Sequence, residues 1–362
     1  MPSISEFTII GSGVNGLLTA RELVNTGATV TIFEKNQLGQ ESSWAGGGIL
    51  LPLYPWRQDQ AITALVKQSI KLYPALNKEL LQQTGINPEW IASGMLITKN
   101  PDIQQAESWC QNNNIPCYPG TEEQLSPFHT ESLNPLWLPS IAQARNPRLL
   151  KALIQDLKSK KVIFKENNSL QEIQISKNHI HSIITSGEKS SVNHLILATG
   201  AWTSELWQVL FGSMNTSSPD IFPVKGQMLL FDAKPDTLTH MILDGDRYLI
   251  PRRDGKILAG STVEKHGFNK EITADAKQQL SEFAINLIPA LADFPIIAHW
   301  AGIRPGTQHG IPYIDIHPAI DNLSINAGHF RNGLVMAPAS AQLLTALLMG
   351  QPTTIDPAPY QL

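Results

Sequence analysis

A chain of 362 residues that is 42% hydrophobic has apolar material for one or two sizeable cores, and its length suggests two domains. The net charge of −4 comes without a lysine or arginine run, which excludes the electrostatic footprint of a nucleic-acid binder and points to small-molecule partners. Two cysteines, Cys110 and Cys117, exclude a disulfide framework and match no zinc-ligand spacing, so no metal is expected and a reducing cytoplasm is the expected compartment.

The N-terminus has no basic start and its apolar run stops at Gly11, so no signal peptide is expected. Phe7-Thr8-Ile9-Ile10 reads as a buried strand, residues 14–23 as a helix, Gly27 as a turn and residues 28–33 as a second strand ending at Glu34. Residues 61–83 place Ile62, Leu65, Val66, Ile70, Tyr73, Leu76 and Leu80 near helical spacing, with a kink expected at Pro74. A strand at 94–98, helices over 102–113 and 147–160, and strands over 162–165, 170–175 and 179–185 follow. An apolar strand at 194–198 leads into Thr199-Gly200-Ala201-Trp202, short alternating strands occupy 224–260, and residues 274–287 read as a helix. A last strand at 323–327 runs into Gly328 and a final helix. The nearly uncharged stretch 333–350 is interrupted by Pro338, Ser340, Gln342 and Thr345 and is barely membrane length, so it predicts a buried helix and not a membrane span.

This order predicts an α/β protein: a discontinuous Rossmann-like nucleotide-binding domain from residues 1–55, 145–210 and 320–362, and a second, mostly antiparallel domain from 56–144 and 211–319. The fingerprint lies in the first unit. Gly11-Ser12-Gly13-Val14-Asn15-Gly16 matches G-x-G-x-x-G after a predicted strand and at the start of a predicted helix. Gly11 permits the tight turn, Gly13 lets the backbone approach a pyrophosphate, Gly16 allows close helix–strand packing, and the helix N-terminus faces the anion beside Val14 and Asn15. Glu34, with Lys35 next to it, ends the second strand where an acid accepts hydrogen bonds from an adenosine ribose; an acid there disfavours a 2′-phosphate.

Glu41-Ser42-Ser43-Trp44-Ala45-Gly46-Gly47-Gly48-Ile49 follows, a small-residue loop rich in backbone N–H groups and hydroxyls. It can track phosphates and pass beside a ring system, a need that a nicotinamide dehydrogenase lacks. On this segment the chain resembles the glycine oxidase branch of the FAD-dependent D-amino-acid oxidase family. The likeness extends to Leu195-Ile196-Leu197-Ala198-Thr199-Gly200-Ala201-Trp202, Phe222-Pro223-Val224-Lys225-Gly226-Gln227, Trp300-Ala301-Gly302-Ile303-Arg304-Pro305-Gly306-Thr307 and Ala327-Gly328-His329-Phe330-Arg331-Asn332-Gly333, five motifs in the family's order over most of the chain.

The resemblance implies FAD, held by the fingerprint residues with Glu34 and Lys35, by Ser42, Ser43, Gly47, Gly48 and Ile49, by Thr199, Gly200 and Trp202, and by Gly328, His329, Phe330, Arg331, Asn332, Gly333, Leu334 and Val335. Covalent attachment, typical of sarcosine oxidase relatives, needs a cysteine in a flavin segment; Cys110 and Cys117 fall outside them, so noncovalent FAD is expected. Arg304 and Arg331 are the expected carboxylate clamp, since guanidinium matches a carboxylate with two parallel bonds. Tyr248 aligns with a family tyrosine near the substrate, and a plain strand aromatic remains the other reading. Hydride transfer needs no acid–base residue, so His329 is expected beside the flavin and not as a base. Residues 244–247 read Asp-Gly-Asp-Arg where some relatives carry a histidine, a departure that bears on substrate preference.

The implied reaction is oxidation of glycine, sarcosine or small D-amino acids to the imine, which hydrolyses to glyoxylate or another 2-oxo acid and ammonia while oxygen becomes hydrogen peroxide. Residues 42–57 look like bacterial enzymes that supply the imine for the thiamine thiazole ring, and relatives are commonly homo-oligomers. Two alternatives stay open at this point: an amino-acid dehydrogenase with another electron acceptor, and a flavin-binding module without turnover.

Overall fold

The computed structural model describes residues 5–125, 134–212, 214 and 216–362. Its first element pair follows from local chemistry. The strand β1 (Phe7–Ile10) turns at Gly11, whose φ of +105° suits glycine, into helix α1 (Val14–Asn25), and the chain returns through Gly27 (φ +96°) to β2 (Val30–Phe33). All four residues of β2 are buried, as expected of a parallel strand covered on both faces.

Among the described residues the strands form three sheets. The first has the order Tyr313–Ile316, Leu323–Ala327, His194–Leu197, β1, β2, Ile163–Lys165, parallel throughout except at the Tyr313–Ile316 edge. The second has eight strands running from Ile296–Gly306 to Tyr118–Pro119, antiparallel except where Met241–Asp244 meets Met95–Ile97. The third is the small meander Leu170–Ser176, His179–Thr185, Glu188–Ser191. The α/β class with a parallel nucleotide-type sheet and a mostly antiparallel partner is therefore the observed one.

The helix expected over 61–83 spans Gln60–Thr84 and runs on through Pro74, capped by Asp59 at one end and Gly85 at the other. The final helix, Gly333–Leu348, packs on both α1 and the Gln60–Thr84 helix and is largely buried. None of the described helices is long and apolar enough to cross a membrane. Beneath the sheet, Arg21 of α1 bonds Asp156 (3.0 Å) and Glu79 (2.6 Å), and Lys160 also reaches Asp156 (2.7 Å). Asp156 is fully buried, so this cluster ties three helices together by a charge that needs its partners.

Three elements depart from the sequence expectation. Ser42–Ala45 forms one helical turn within the small-residue loop, and Thr203–Phe211 is a helix. Ile296–Gly306, recognised only as a motif, is an eleven-residue strand. Gly302, Pro305 and Gly306 hid it, yet it lies at a sheet edge, where proline is tolerated.

Candidate active site

A cavity of about 400 Å³ opens where the C-terminal ends of β1, β2, His194–Leu197 and Leu323–Ala327 meet a face of the eight-stranded sheet. That is the position at which parallel α/β sheets bind ligands. At its nucleotide end, a Cβ on Gly11 would stand 2.5 Å from the Ala198 carbonyl oxygen, so only glycine fits this crossing. Helix α1 begins at Gly13 without a side-chain cap, and its Val14 N–H donates to Ser43 Oγ at 2.9 Å. Glu34 is almost fully buried; it accepts from Ser12 N and Oγ (2.9 and 2.8 Å) and from Asn36 N (3.2 Å). Its carboxylate thus reinforces the Gly-rich turn in addition to lining the cavity. Lys35 Nζ sits 3.4 Å over the Trp202 ring, whose other neighbour is the stacked ring of Phe268.

The wall fits an extended dinucleotide. Asn15, Asn146 and Asn326 all line the cavity, and each has a buried amide oxygen without a partner among the described residues. Unsatisfied acceptors of this kind require a donor, and the hydroxyls of a ribityl chain and a flavin ring N–H are donors. Gly48 has φ +89°, and a Cβ there would collide with the Ala144 carbonyl oxygen, so the loop passes where a side chain is excluded.

His329 is fully buried, with Nδ1 3.2 Å from Asn15 Nδ2 and Nε2 3.0 Å from Ser340 Oγ, which itself donates to Met336 O. An amide nitrogen can only donate, so Nδ1 accepts and Nε2 carries the proton. Burial pushes the imidazole pKa down to about 3, whereas an unfolded histidine titrates near about 6.5. Between those values the unfolded chain binds a proton that the folded chain refuses. Stability is thus fully present above about pH 6.5 and falls as the pH drops toward 3, by about 1.4 kcal/mol per pH unit for one such group. His194, pushed down to about 4 by burial and by His179, acts in the same direction. Urea unfolding at about pH 7 and about pH 5 is expected to show H329Q losing about 2 kcal/mol less than the parent on acidification; equal losses would mean that His329 titrates normally.

At the other end of the cavity the Tyr248 ring is enclosed by two glycines: a Cβ on Gly47 would lie 3.0 Å from its Cε2, and one on Gly260 would lie 2.8 Å from the same atom. Gly226 likewise leaves room for the Arg304 guanidinium, beside the Tyr248 hydroxyl. Arg304 Nη1 donates to Lys225 O (3.3 Å) and Thr262 O (3.2 Å), and Nη2 to Ser261 Oγ (2.8 Å). Burial lowers its pKa from the usual arginine value. Arg331, in the single turn Phe330–Asn332, makes no side-chain hydrogen bond or ion pair to the described residues, and its guanidinium lies 5.8 Å from the Phe330 ring centroid. Neither arginine has a carboxylate partner among the described residues. The two are therefore unequal: Arg304 is a cation anchored to the wall, and Arg331 is a cation with its whole donor fork available.

The structure brings together in this one cavity Arg304, Arg331 and Tyr248, Gly11, Gly13, Val14, Asn15, Glu34, Lys35, Ser42, Ser43, residues 47–49, Thr199, Gly200, Trp202 and residues 328–334. Two of the named residues are not in its wall. Gly16 lies against the Gly11 carbonyl oxygen, where a Cβ would clash, in keeping with the helix–strand packing expected of it. Val335 is 1% exposed and faces the core, because the final helix has by then turned away from the cavity. Sequence reasoning missed Asn146, residues 168–170, Met228, Ser261 and Asn326, all of which line it. Asn146-Pro147 carried only the signature of a helix start; its Nδ2 in fact donates to Ser43 O at 2.6 Å. Cys110 and Cys117 lie outside the cavity.

Residues 6–347 match the DAO family model, described as FAD dependent oxidoreductase. A glycine oxidase of Pseudomonas aeruginosa is 41% identical over 97% of each chain. The bifunctional protein ThiO/ThiG of Synechocystis sp. is 30% identical over 97% of this chain and 52% of its own length. Among solved structures, glycine oxidase from Geobacillus kaustophilus superposes with a TM-score of 0.93 at 26% identity, covering 99% of this chain and 98% of that one. With the dinucleotide cleft, the donor-demanding wall and two arginines that lack a carboxylate partner among the described residues in place, the chain belongs to this family of FAD-dependent oxidoreductases, as an FAD-dependent amino-acid oxidase.

Proposed function

We propose that the protein oxidises glycine, with sarcosine and small D-amino acids as further substrates, to the imine, which hydrolyses to glyoxylate or the matching 2-oxo acid and ammonia. The observation that carries this reading is the pair Arg304 and Arg331, cations without carboxylate partners among the described residues, beside Tyr248 in the cavity that receives FAD. The glycine oxidase name of the relative that is 41% identical supports glycine itself. FAD held along Gly11, Gly13, Glu34 and residues 42–49 would supply the hydride acceptor, with oxygen as the final oxidant and hydrogen peroxide as its product.

The chain's own residues bind and orient. Arg331 takes the substrate carboxylate through its fork, Arg304 adds a second fixed charge, and the Tyr248 hydroxyl bonds the same group. Ile49, Leu51, Leu53 and Met228 line the same cavity and supply apolar surface for the non-carboxylate part of the substrate. Both ring nitrogens of His329 are engaged, so the ammonium gives up its proton to solvent and the neutral amine reacts. We assign the FAD-binding role to the six-stranded sheet with its helices and the substrate-binding role to the eight-stranded sheet. The Ser-Ser-Trp-Ala run at 42–45 and the likeness to ThiO/ThiG support supply of the imine to the thiamine thiazole ring.

The test is anaerobic mixing of the yellow protein with glycine, sarcosine, D-alanine, D-proline and L-alanine, following the visible flavin absorbance and then admitting air. Rapid bleaching by glycine, with peroxide on reoxidation, is the expected result. Bleaching without peroxide would make the protein a dehydrogenase, and no bleaching by any amine would sink the amine-oxidation reading.

A further inference from the structure

Arg252 is 7% exposed, and no carboxylate pairs with it among the described residues. The nearby acids Glu89 and Asp254 are taken by Arg145 (3.3 and 3.0 Å), and Glu89 also by Arg148 (3.3 Å). Only neutral oxygens balance the Arg252 charge: Nη1 donates to Gln143 Oε1 (2.8 Å) and Ala144 O (3.3 Å), and Nη2 to Gly47 O (2.7 Å), while Nε has no partner among the described residues. Burying a cation without a counter-ion is costly, and an apolar side chain of similar volume would fill the same space without that penalty. Its bonds indicate what it does.

In a trans peptide the carbonyl and the following N–H point in opposite directions. Holding the Gly47 carbonyl therefore turns the Gly48 N–H away from Arg252. That N–H meets no acceptor among the described residues, and Gly47 and Gly48 both line the cavity. The Gly48 carbonyl, in the next peptide, is held by Ala144 N at 2.9 Å, so the chain is tied down on both sides of the Gly48 Cα. We propose that Arg252 is a positioning residue for the flavin: by holding the Gly47 carbonyl it keeps the Gly48 N–H turned into the cavity, where it donates to an acceptor atom of the flavin ring. Such a donor, with a cation behind it, favours the electron-rich reduced ring. The inference rests on the flavin lying along residues 42–49 and is independent of which amine is oxidised.

The readouts are the flavin midpoint potential and the dissociation constant for FAD, neither of which needs an amine. R252M is expected to bind FAD at least about 10-fold more weakly and to shift the potential to a more negative value, and R252K, which keeps a charged donor for Gly47, is expected to recover the potential. If R252M does not fold, R252Q, with one N–H group in place of the fork, is expected to show the same two changes. A folded R252M or R252Q with the parent affinity and potential overturns the proposal. S43A tests the flavin placement itself: weaker FAD binding in S43A but not in R252M removes only the Arg252 role, whereas parent affinity in both removes the placement and the proposal with it.

Discussion

Replacing Arg331 with leucine is expected to lower kcat/KM for glycine by about 10²- to 10⁴-fold while FAD stays bound. Arg331 keeps its donor fork free of the described residues, so its removal leaves no protein acceptor stranded and subtracts only what it gives the substrate. Two charge-assisted bonds at about 1.5–3 kcal/mol each set the range. R331K should recover part of the loss, since it keeps the charge and gives up the planar fork. Arg304 is a less clean target. Its loss also takes a donor from Lys225 O, Thr262 O and Ser261 Oγ, so binding and folding effects mix. Steady-state peroxide assays on R331L decide the matter: a KM and kcat like the parent's would show that the carboxylate lies elsewhere.

The second large effect belongs to Gly16. Its Cβ position overlaps the Gly11 carbonyl oxygen, a backbone atom that cannot swing aside, so G16A has to separate α1 from β1 and displace the turn that faces the pyrophosphate. Overpacking of this kind costs about 1–3 kcal/mol or more, and G16A is expected to bind FAD about 10²-fold more weakly, purifying pale or colourless. Gly27 is the control. It lies at positive φ, which Gly16 does not, and nothing stands within 4 Å of a Cβ there, so G27A is expected to lose about 1–2 kcal/mol of stability and to stay yellow. A yellow G16A with parent FAD affinity would mean that the crossing of helix and strand does not shape the cleft.

What could be read from the sequence was what depends on local pattern. The fingerprint, the amphipathic Gln60–Thr84 helix and the apolar strands state their structure within a few residues of themselves. Arg304 and Arg331 were legible because they sit in glycine-rich segments that match the family's motifs; the room that Gly226 leaves for the Arg304 guanidinium comes from the pairing of two strands and is invisible along the chain. The inequality of the two arginines was not legible, since it depends on which carbonyls of neighbouring strands reach the guanidinium. Arg252 gave no signal either: it follows Pro251 in a run of strand residues, and its burial is set by Gln143 and Ala144, more than a hundred positions away. The strand Ile296–Gly306 was missed because its pattern answers to a sheet edge.

The order of strands in the six-stranded sheet carries a consequence for synthesis. β1 lies beside His194–Leu197, and that strand lies beside Leu323–Ala327, so the interior of the nucleotide sheet is assembled from segments separated by nearly the whole chain. At about 5–20 residues per second, the ribosome has exposed β1 and its apolar neighbours for many seconds before Arg331 appears. The oxidase therefore cannot mature piecemeal. Its high contact order makes folding slow, and the growing chain offers unpaired strand edges to chaperones throughout that interval, with the catalytic cleft the last thing to form.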